Sequence, residues 1–349
     1  MTSPGAAGSD LIDEAVRSAI VKWQKAALLG AAGAAVGLAG VGALNLWGRR
    51  VRSIRDELRD DPLTPPEDVD HVYFDTVDDG VLHAVVTGTG PAVVLLHGVT
   101  LQWWVWSAVI RLLRSDHRVI AWDMRGHGES KAGTRGVTLE ASADDLAQIL
   151  IELDATDAVV VGHSMGGMVL GRFVIQNHEV AHSRVKGLVF LATSAAPASI
   201  AGLRGGMAAL ASLAEPLARR DARRSRTSYP WKDTNVSAAL ARTAFGRNAT
   251  ARMVDDTRLM IAATPSSTLA EAASSIAAHD VRAELASVDL PTVVVVGSLD
   301  ALTPPPHARA LAEVVAGSEL RVLRGVGHQV MQEDPAAIQA AVDHFDRRD

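Results

Sequence analysis

Ser164 is the residue of this 349-residue chain whose surroundings most directly predict chemistry. It lies in Gly162-His-Ser-Met-Gly166, which fits the pattern G-x-S-x-G, between a Val-rich run and a helix-like run. In that context the serine is predicted to lie on a sharp strand-to-helix turn, where the two glycines avoid steric collisions. Such a turn exposes the hydroxyl for nucleophilic attack. This stretch contains no lysine and its glycine spacing fits neither nucleotide-binding motif, which excludes a phosphate-binding loop.

Asp300 and His328 are the predicted partners of this serine, because a hydroxyl is a poor nucleophile without a base. Asp300 follows the apolar run 292–297, and His328 follows the run 319–323. The order serine, acid, histidine is that of a triad built on strand ends. His328 is therefore predicted to accept the proton of Ser164, and Asp300 to hold the imidazole in the required tautomer.

Other acids and histidines fit these roles less well. His279 and His307 lie in predicted helical stretches rather than at strand ends, and Asp289 precedes its strand. Glu333 and Asp334 directly precede the last predicted helix, where carboxylates commonly act as caps. We therefore expect none of these residues in the triad.

The loop after the third predicted strand, "HGVTLQWWVW", is expected to complete the site. The backbone N–H groups of Val99 and Met165 are predicted to bind the oxyanion that forms during acyl transfer. Trp103 and Trp104 follow in the same loop, where they either line a pocket for an acyl group or pack in the core. Trp106 is expected in the core.

The elements that must position these residues begin at about residue 69, where short apolar runs start to alternate with helix-like stretches. The predicted strands are 69–74, 82–86, 92–96, 118–122, 158–162, 186–192, 292–297 and 319–323, and the clearest predicted helices are 139–153 and 335–345. Unbroken runs of Val, Leu and Ile indicate strands buried on both faces of a mostly parallel sheet. The alternation predicts an α/β fold with helices on both faces of that sheet.

One interval is too long for a simple crossover between two parallel strands. About 100 residues separate the runs ending at 192 and beginning at 292, and they are rich in Ala, Arg and Ser. We expect a helical cap at about 195–288 that covers the edge of the sheet. Its basic cluster is either a solvated surface or a contact for anionic lipid headgroups. The cluster comprises Arg219, Arg220, Arg223, Arg224 and Arg226.

The N-terminal region precedes the predicted domain at 69–349. Residues 1–25 are expected to be poorly ordered, and 48–68 form a charged linker. Residues 26–47 carry no charge and as a helix would span about 33 Å, which predicts a membrane anchor. A surface helix and a signal-peptide core are the alternatives. Four arginines at 49–55 against two lysines at 22–25 favour a catalytic domain on the cytoplasmic side of the cell membrane.

Composition restricts the classes of partner and chemistry. The formal net charge of −6 gives no sign of nucleic-acid binding. The absence of cysteine excludes disulfides, thiolate metal sites and a thiol nucleophile. The sequence implies no metal, no organic cofactor and no protein partner, and the expected partner is a small-molecule acyl ester.

From about residue 70 the chain resembles the α/β-hydrolase superfamily. The motifs that carry the resemblance are His97-Gly98, Asp123-Met-Arg-Gly-His-Gly-Glu-Ser130, Gly162-His-Ser-Met-Gly-Gly167, Gly297-Ser-Leu-Asp300 and Gly327-His328. The resemblance implies a serine hydrolase with a helical cap between the sixth and seventh strands. Together with the Ala/Gly-rich N-terminal segment, the arginine cluster and the stretch "FLATSAAP", it is similar to actinobacterial membrane-associated members.

Two other branches of that superfamily fit less well. Epoxide hydrolases and haloalkane dehalogenases use an aspartate nucleophile, where this chain has Ser164, and the epoxide enzymes also use cap tyrosines, of which only Tyr229 is available. We therefore predict a carboxylesterase or lipase-like enzyme acting through an acyl-enzyme. The same triad would serve a thioesterase, a C–C bond hydrolase or a cofactor-free perhydrolase. A ligand-binding receptor with an idle triad is the non-enzymatic alternative.

Overall fold

The computed structural model describes residues 43, 45–53, 63–196 and 235–347. These residues form one eight-stranded sheet with the strand order β1-β2-β4-β3-β5-β6-β7-β8. The strands are β1 (Asp70–Asp75), β2 (Val81–Thr87), β3 (Ala92–Leu96), β4 (Arg118–Asp123), β5 (Ala158–His163), β6 (Val185–Leu191), β7 (Thr292–Gly297) and β8 (Glu319–Leu323). Each strand lies within one residue of its predicted position.

Only β2 runs against the others, pairing antiparallel with both β1 and β4, while β3 to β8 pair in parallel. The predicted α/β architecture with a mostly parallel sheet is therefore confirmed. Because parallel strands share one direction, the loops that follow β3, β5, β7 and β8 all emerge at the same edge of the sheet.

Helices cover both faces of the sheet, which explains the unbroken apolar runs. The helices are α1 (Ser107–Leu113), α2 (Leu139–Glu152), α3 (Met165–Gln176), α4 (His178–Arg184), α5 (Asn235–Arg242), α6 (Ala251–Ala263), α7 (Ser266–Ala278), α8 (Arg282–Leu285), α9 (Pro305–Val314), α10 (Val330–Glu333) and α11 (Pro335–Asp346). In β3, Val94 and Leu96 join the core beneath α2 and α3, while Val93 and Leu95 join the core beneath α1 and α11. Successive side chains of a strand point to opposite faces, so both faces must be apolar.

The insertion between β6 and β7 is helical where the structure describes it, from α5 to α8. Its helix α7 lies against the loop after β4, where the Thr268 hydroxyl donates to Gly126 O at 3.0 Å and the Leu139 N–H donates to the Ser275 hydroxyl at 2.9 Å. This confirms a helical cap between the sixth and seventh strands. The arginine cluster at 219–226 and Tyr229 lie outside the described residues.

The predicted membrane segment falls mostly outside the described residues, which include only Ala43 and 45–47 of it. Trp47 is buried in a small apolar cluster that also contains Val51, Leu63 and residues of α5 and α6. The described ends of the predicted linker thus pack on the domain rather than extend from it. Among the described residues, no helix has the length and apolarity needed to cross a bilayer.

Candidate active site

Ser164 lies in the tight turn between β5 and α3. Its φ of 53° is in the left-handed region, which a non-glycine residue adopts only when the surrounding structure enforces it. A Cβ at Gly162 would lie 2.5 Å from Gly166 O, and a Cβ at Gly166 would lie 2.5 Å from Leu96 O. Glycine at both positions therefore permits the strand, the turn and the helix to meet at this point.

His328 and Asp300 meet at the same edge of the sheet. Their side chains are buried, and His328 Nδ1 lies 2.9 Å from Asp300 Oδ2. The other carboxylate oxygen, Oδ1, accepts the N–H groups of Leu302 and Thr303 at 2.8 and 2.9 Å. Because a carboxylate only accepts hydrogen bonds, His328 Nδ1 carries the proton and its Nε2 keeps a free lone pair.

Thr303 is a residue of the site that the sequence analysis missed. Its hydroxyl donates to Asp300 Oδ2 at 2.9 Å and lies 3.3 Å from His328 Nδ1. The carboxylate is thus fixed by three donors besides the histidine. The sequence did contain a signal for this role. Asp300 lies three residues before Thr303 in a loop that leads to a helix beginning with proline, and this spacing is typical of a turn closed by its own side chains.

His163 connects the serine turn to the histidine loop. Its Nε2–H donates to His328 O at 3.0 Å, and the two imidazole rings lie 4.7 Å apart. Burial lowers the pKa of His163 well below its ordinary value, with a further lowering by the nearby His328. His163 therefore stays neutral, and its hydrogen bond holds the backbone of His328 beside the turn of Ser164.

The two backbone N–H groups predicted to bind an oxyanion are both without a partner in the described ranges. Among the described residues, the N–H groups of Val99 and Met165 donate no hydrogen bond. A Cβ at Gly98 would lie 3.1 Å from Ser164 Cβ, so the loop of Val99 approaches the serine as closely as a glycine allows. In the same described part of the chain, the Ser164 hydroxyl has no hydrogen bond either. Catalytic hydrogen bonds are often long in a site without substrate, so the unbonded hydroxyl is compatible with a nucleophilic role for Ser164.

Two further histidines hold the loop of Val99 in place. His97 Nε2 accepts the N–H of Met124 at 3.0 Å, and His127 Nε2 accepts the N–H of Thr100 at 3.2 Å. Thr100 has a φ of 64°, again in the left-handed region. Burial lowers the pKa of His97, and burial together with the neighbouring His97 lowers the pKa of His127 to about 3. Both rings are neutral at ordinary pH, which the acceptor role requires.

The sequence indicated that Glu333 and Asp334 cap the last helix, but Glu333 does not have this role. Asp334 does, accepting the N–H of Ala337 at 3.2 Å. Glu333 ends α10 and instead accepts the N–H of Gly246 at 2.7 Å and that of Gly327 at 2.8 Å, which joins the cap to the residue before His328. Burial raises the pKa of the Glu333 carboxyl to about 7, although both hydrogen bonds lower it.

The tryptophans of the Val99 loop form a 3₁₀ turn, Trp103–Trp106. Trp106 is fully buried, as expected, and its ring centroid lies 6.5 Å from that of His163 in an edge-to-face arrangement. Trp103 is also largely buried, and Trp104 is half-buried, with its indole N–H bound to Gln102 at 2.7 Å. In the described residues no hydrogen bond or ring contact joins Trp103 or Trp104 to Ser164, Asp300 or His328.

Residues that the sequence analysis set aside have other partners in the structure. Asp289 forms an exposed ion pair with His182 at 2.7 Å, away from the strand ends. His307 lies in α9, and its Nδ1 is 3.2 Å from the Ser194 hydroxyl. His279 is the first residue after α7 rather than within a helix. In the part of the chain that the structure describes, no hydrogen bond or ion pair joins these side chains to Ser164 or His328.

Comparison with known proteins yields consistent matches. Residues 91–335 match the family model for the alpha/beta hydrolase fold. An uncharacterized protein of Mycobacterium tuberculosis is 26% identical over 313 residues, covering 85% of this chain and 84% of that protein. A non-heme chloroperoxidase of Kitasatospora aureofaciens is 28% identical over 245 residues, covering 70% of this chain and 86% of the relative. A solved thermophilic esterase from Thermogutta terrifontis superposes with a TM-score of 0.64 at 28% identity, covering 80% of this chain and 98% of the esterase.

Proposed function

Since the chain belongs to the α/β-hydrolase family, we propose that it is a serine hydrolase that cleaves a carboxylic ester through an acyl-enzyme. The observation that carries the proposal is the buried His328–Asp300 pair beside the strained turn of Ser164. The fold alone would not carry it, because one fold serves many activities. The similarity to an esterase from Thermogutta terrifontis supports an ester as the substrate.

The tautomer of His328 determines the path of the proton. Its Nδ1–H is bound to Asp300, so Nε2 accepts the proton of the Ser164 hydroxyl as the oxygen attacks the ester carbonyl. A tetrahedral intermediate forms, and the imidazolium is stabilised by the Asp300 carboxylate. Nε2 then gives this proton to the leaving alkoxide, which departs as an alcohol. A water molecule, deprotonated by the same nitrogen, attacks the acyl-enzyme. The acid is released as the second tetrahedral intermediate collapses, and Nε2 returns the proton to the Ser164 oxygen.

The oxyanion of both intermediates would bind the unpaired N–H groups of Val99 and Met165. Fixed donors in a partly dehydrated site stabilise developing charge without having to reorganise, and removal of one such donor typically costs about 10²–10³-fold in kcat. The rigid framework around Val99, formed by His97, Gly98 and His127, suits this role. We propose that the acyl group lies toward Trp104, whose half-buried ring adjoins the apolar core beside this loop.

The experiment is covalent labelling with a fluorophosphonate probe, followed by p-nitrophenyl ester hydrolysis over a series of acyl lengths. Wild-type protein is expected to be labelled on Ser164. The substitution Ser164→Ala should abolish labelling and lower kcat by more than about 10⁴-fold. The exposed Ser115→Ala is the matched control and should leave both unchanged. Labelling that persists in folded Ser164→Ala protein, or no labelling of folded wild type, would refute the proposal and favour a receptor with an idle triad.

The similarity to a non-heme chloroperoxidase favours a second candidate activity on the same residues. Hydrogen peroxide would replace water in attacking the acyl-enzyme, so that a peracid is released in place of an acid. The assay is peracid formation from acetate and hydrogen peroxide, compared between wild type and Ser164→Ala. A hydrolytically active wild type that forms no peracid would leave ester hydrolysis as the activity.

We also propose that residues 26–47 attach the enzyme to the cell membrane, with the catalytic domain on the cytoplasmic side. The support is the uncharged run itself and the excess of arginine that follows it. The full-length chain is expected in the membrane fraction after a carbonate wash, and protease added outside intact cells should not cleave the domain. Recovery of the full-length chain in the soluble fraction would contradict the proposal.

A further inference from the structure

A second cluster of side chains lies across β1, β2 and β4, on residues that the proposed reaction does not use. Tyr73, His83 and Asp123 are successive partners in the registers of these three strands, so they form one row across the sheet. His71 and Glu129 lie beside the row. His71 Nδ1 is 2.8 Å from His83 Nε2, and the Tyr73 hydroxyl donates to Glu129 Oε2 at 2.8 Å.

Asp123 fixes the protonation pattern of the cluster. Its Oδ2 lies 2.8 Å from His83 Nδ1 and accepts the Glu129 N–H at 3.0 Å, while Oδ1 accepts the Trp103 N–H at 2.8 Å. A carboxylate engaged in this way accepts the Nδ1–H of His83, so the Nε2 lone pair of His83 points toward His71. A metal-ligating histidine usually donates the N–H of one ring nitrogen to a carboxylate and binds the metal through the other nitrogen. His83 has this arrangement, because its Nδ1 faces Asp123 and its Nε2 is available.

We propose that His71, His83 and Glu129 bind a divalent transition-metal ion, with Zn²⁺ the best fit. In the described residues these three form a group whose ligand atoms all lie within 4.8 Å of one another. Two imidazole nitrogens and one carboxylate oxygen are a donor set for zinc rather than for Mg²⁺ or Ca²⁺, which prefer oxygen alone. The fourth position would hold water.

The geometry requires only a small adjustment. Tetrahedral zinc with Zn–N bonds of about 2.0–2.1 Å separates two nitrogens by about 3.3 Å, compared with 2.8 Å between His71 and His83. His83 is fully buried and fixed by Asp123, whereas His71 lies on the exposed strand β1 and can move outward. In the metal-free cluster His71 donates its Nδ1–H to His83. On binding, Nδ1 loses this proton to solvent and becomes a ligand, while Nε2 takes a proton from solvent, so that the ring stays neutral.

The site would be structural rather than catalytic. The ion would attach the edge strand β1 to the loop after β4, because Glu129 lies in that loop and His71 on that strand. Occupancy is therefore expected to stabilise the fold, and hydrolysis of esters by Ser164 should not depend on the ion.

The experiment measures Zn²⁺ binding to chelator-treated full-length protein by equilibrium dialysis with metal analysis, and Co²⁺ binding by visible absorption. One ion per chain is expected, with tetrahedral Co²⁺ bands and a higher melting temperature. His71→Ala and the conservative Glu129→Gln should each weaken binding by at least about tenfold, since even outer-shell changes have that effect.

Two control variants test the competing sites. His182→Ala removes another close histidine pair, whose rings at positions 178 and 182 lie 3.9 Å apart, and His328→Ala removes the proposed catalytic base. Both should bind Zn²⁺ as wild type does. The proposal is overturned if wild type takes up no ion, or if His71→Ala and Glu129→Gln bind the ion as tightly as wild type does.

Discussion

Glu333 offers a quantitative test of how the histidine loop is held. Its carboxyl accepts two backbone N–H groups, one from Gly246 in the cap and one from Gly327 beside His328. Burial raises its pKa from an ordinary 4.5 to about 7. The unfolded chain therefore ionises this carboxyl from about pH 4.5, while the folded protein keeps it protonated up to about pH 7.

The sign and size of the effect follow from this difference. Between these two pKa values the folded state binds more protons than the unfolded state, so the free energy of unfolding falls as pH rises and becomes level above pH 7. The two pKa values differ by about 2.5, which corresponds to about 3 kcal/mol of unfolding free energy. About 2.5 kcal/mol of this is lost between pH 5 and pH 8. Glu333→Gln removes this titration. It also presents an NH₂ group to one of the two N–H donors, at a pH-independent cost of about 1–3 kcal/mol.

The assay is urea unfolding of wild type and Glu333→Gln at pH 5 and pH 8. Relative to wild type, the variant is expected to be destabilised more at pH 5 than at pH 8, by about 2–3 kcal/mol. Glu313→Gln, on the exposed side of α9, is the matched control and should follow wild type at both values. Equal destabilisation by Glu333→Gln at both pH values would show that this carboxyl does not titrate in that interval, and the reasoning would fail.

The remaining predictions concern the site itself. Thr303→Val removes the hydroxyl donor to Asp300 Oδ2 but keeps the side-chain shape, so kcat for an ester should fall about tenfold with KM unchanged, and Thr303→Ser should restore it. Asp300→Asn should lower kcat by about 10⁴-fold, because an amide stabilises the wrong tautomer of His328; a loss below about 100-fold would count against the triad. His127→Ala removes the acceptor of the Thr100 N–H, so the left-handed turn should relax and kcat should fall about 10²-fold; unchanged kcat would show that the turn holds without it.

The strands were predictable because the composition of each strand is enough to identify it. The strands β3, β5 and β7 are buried at every position and consist mostly of Val, Leu, Ala and Gly, and only a strand covered by helices on both faces needs that composition. The serine turn was predictable for a similar reason. Its steric requirement falls on Gly162 and Gly166, which lie two residues to either side of Ser164, so the pattern is local.

The missed features depend on contacts between distant parts of the chain. Glu333 precedes Asp-Pro, a context typical of a helix cap, and nothing local indicates that its carboxylate contacts Gly246, which lies 87 residues away. The proposed metal site was missed for another reason. His71 and His83 lie on neighbouring strands, but a register shift of one residue would place them on opposite faces, and the sequence does not determine that register.

The contacts of Glu333 change how the cap relates to the proposed chemistry. Besides this carboxylate bridge, the His328 N–H donates to Ala244 O at 2.8 Å, so the segment after α5 bonds directly to the residue that would carry the proton. The approach is so close that a Cβ at Gly246 would lie 2.1 Å from Gly325 O, and a Cβ at Gly327 would lie 2.3 Å from the Gly246 nitrogen. The absence of a side chain at Gly246 and at Gly327 therefore permits this close approach of the cap to the histidine loop. Because the segment after α5 supports the histidine loop, a change there should alter kcat through the position of the base, even where it does not contact the substrate.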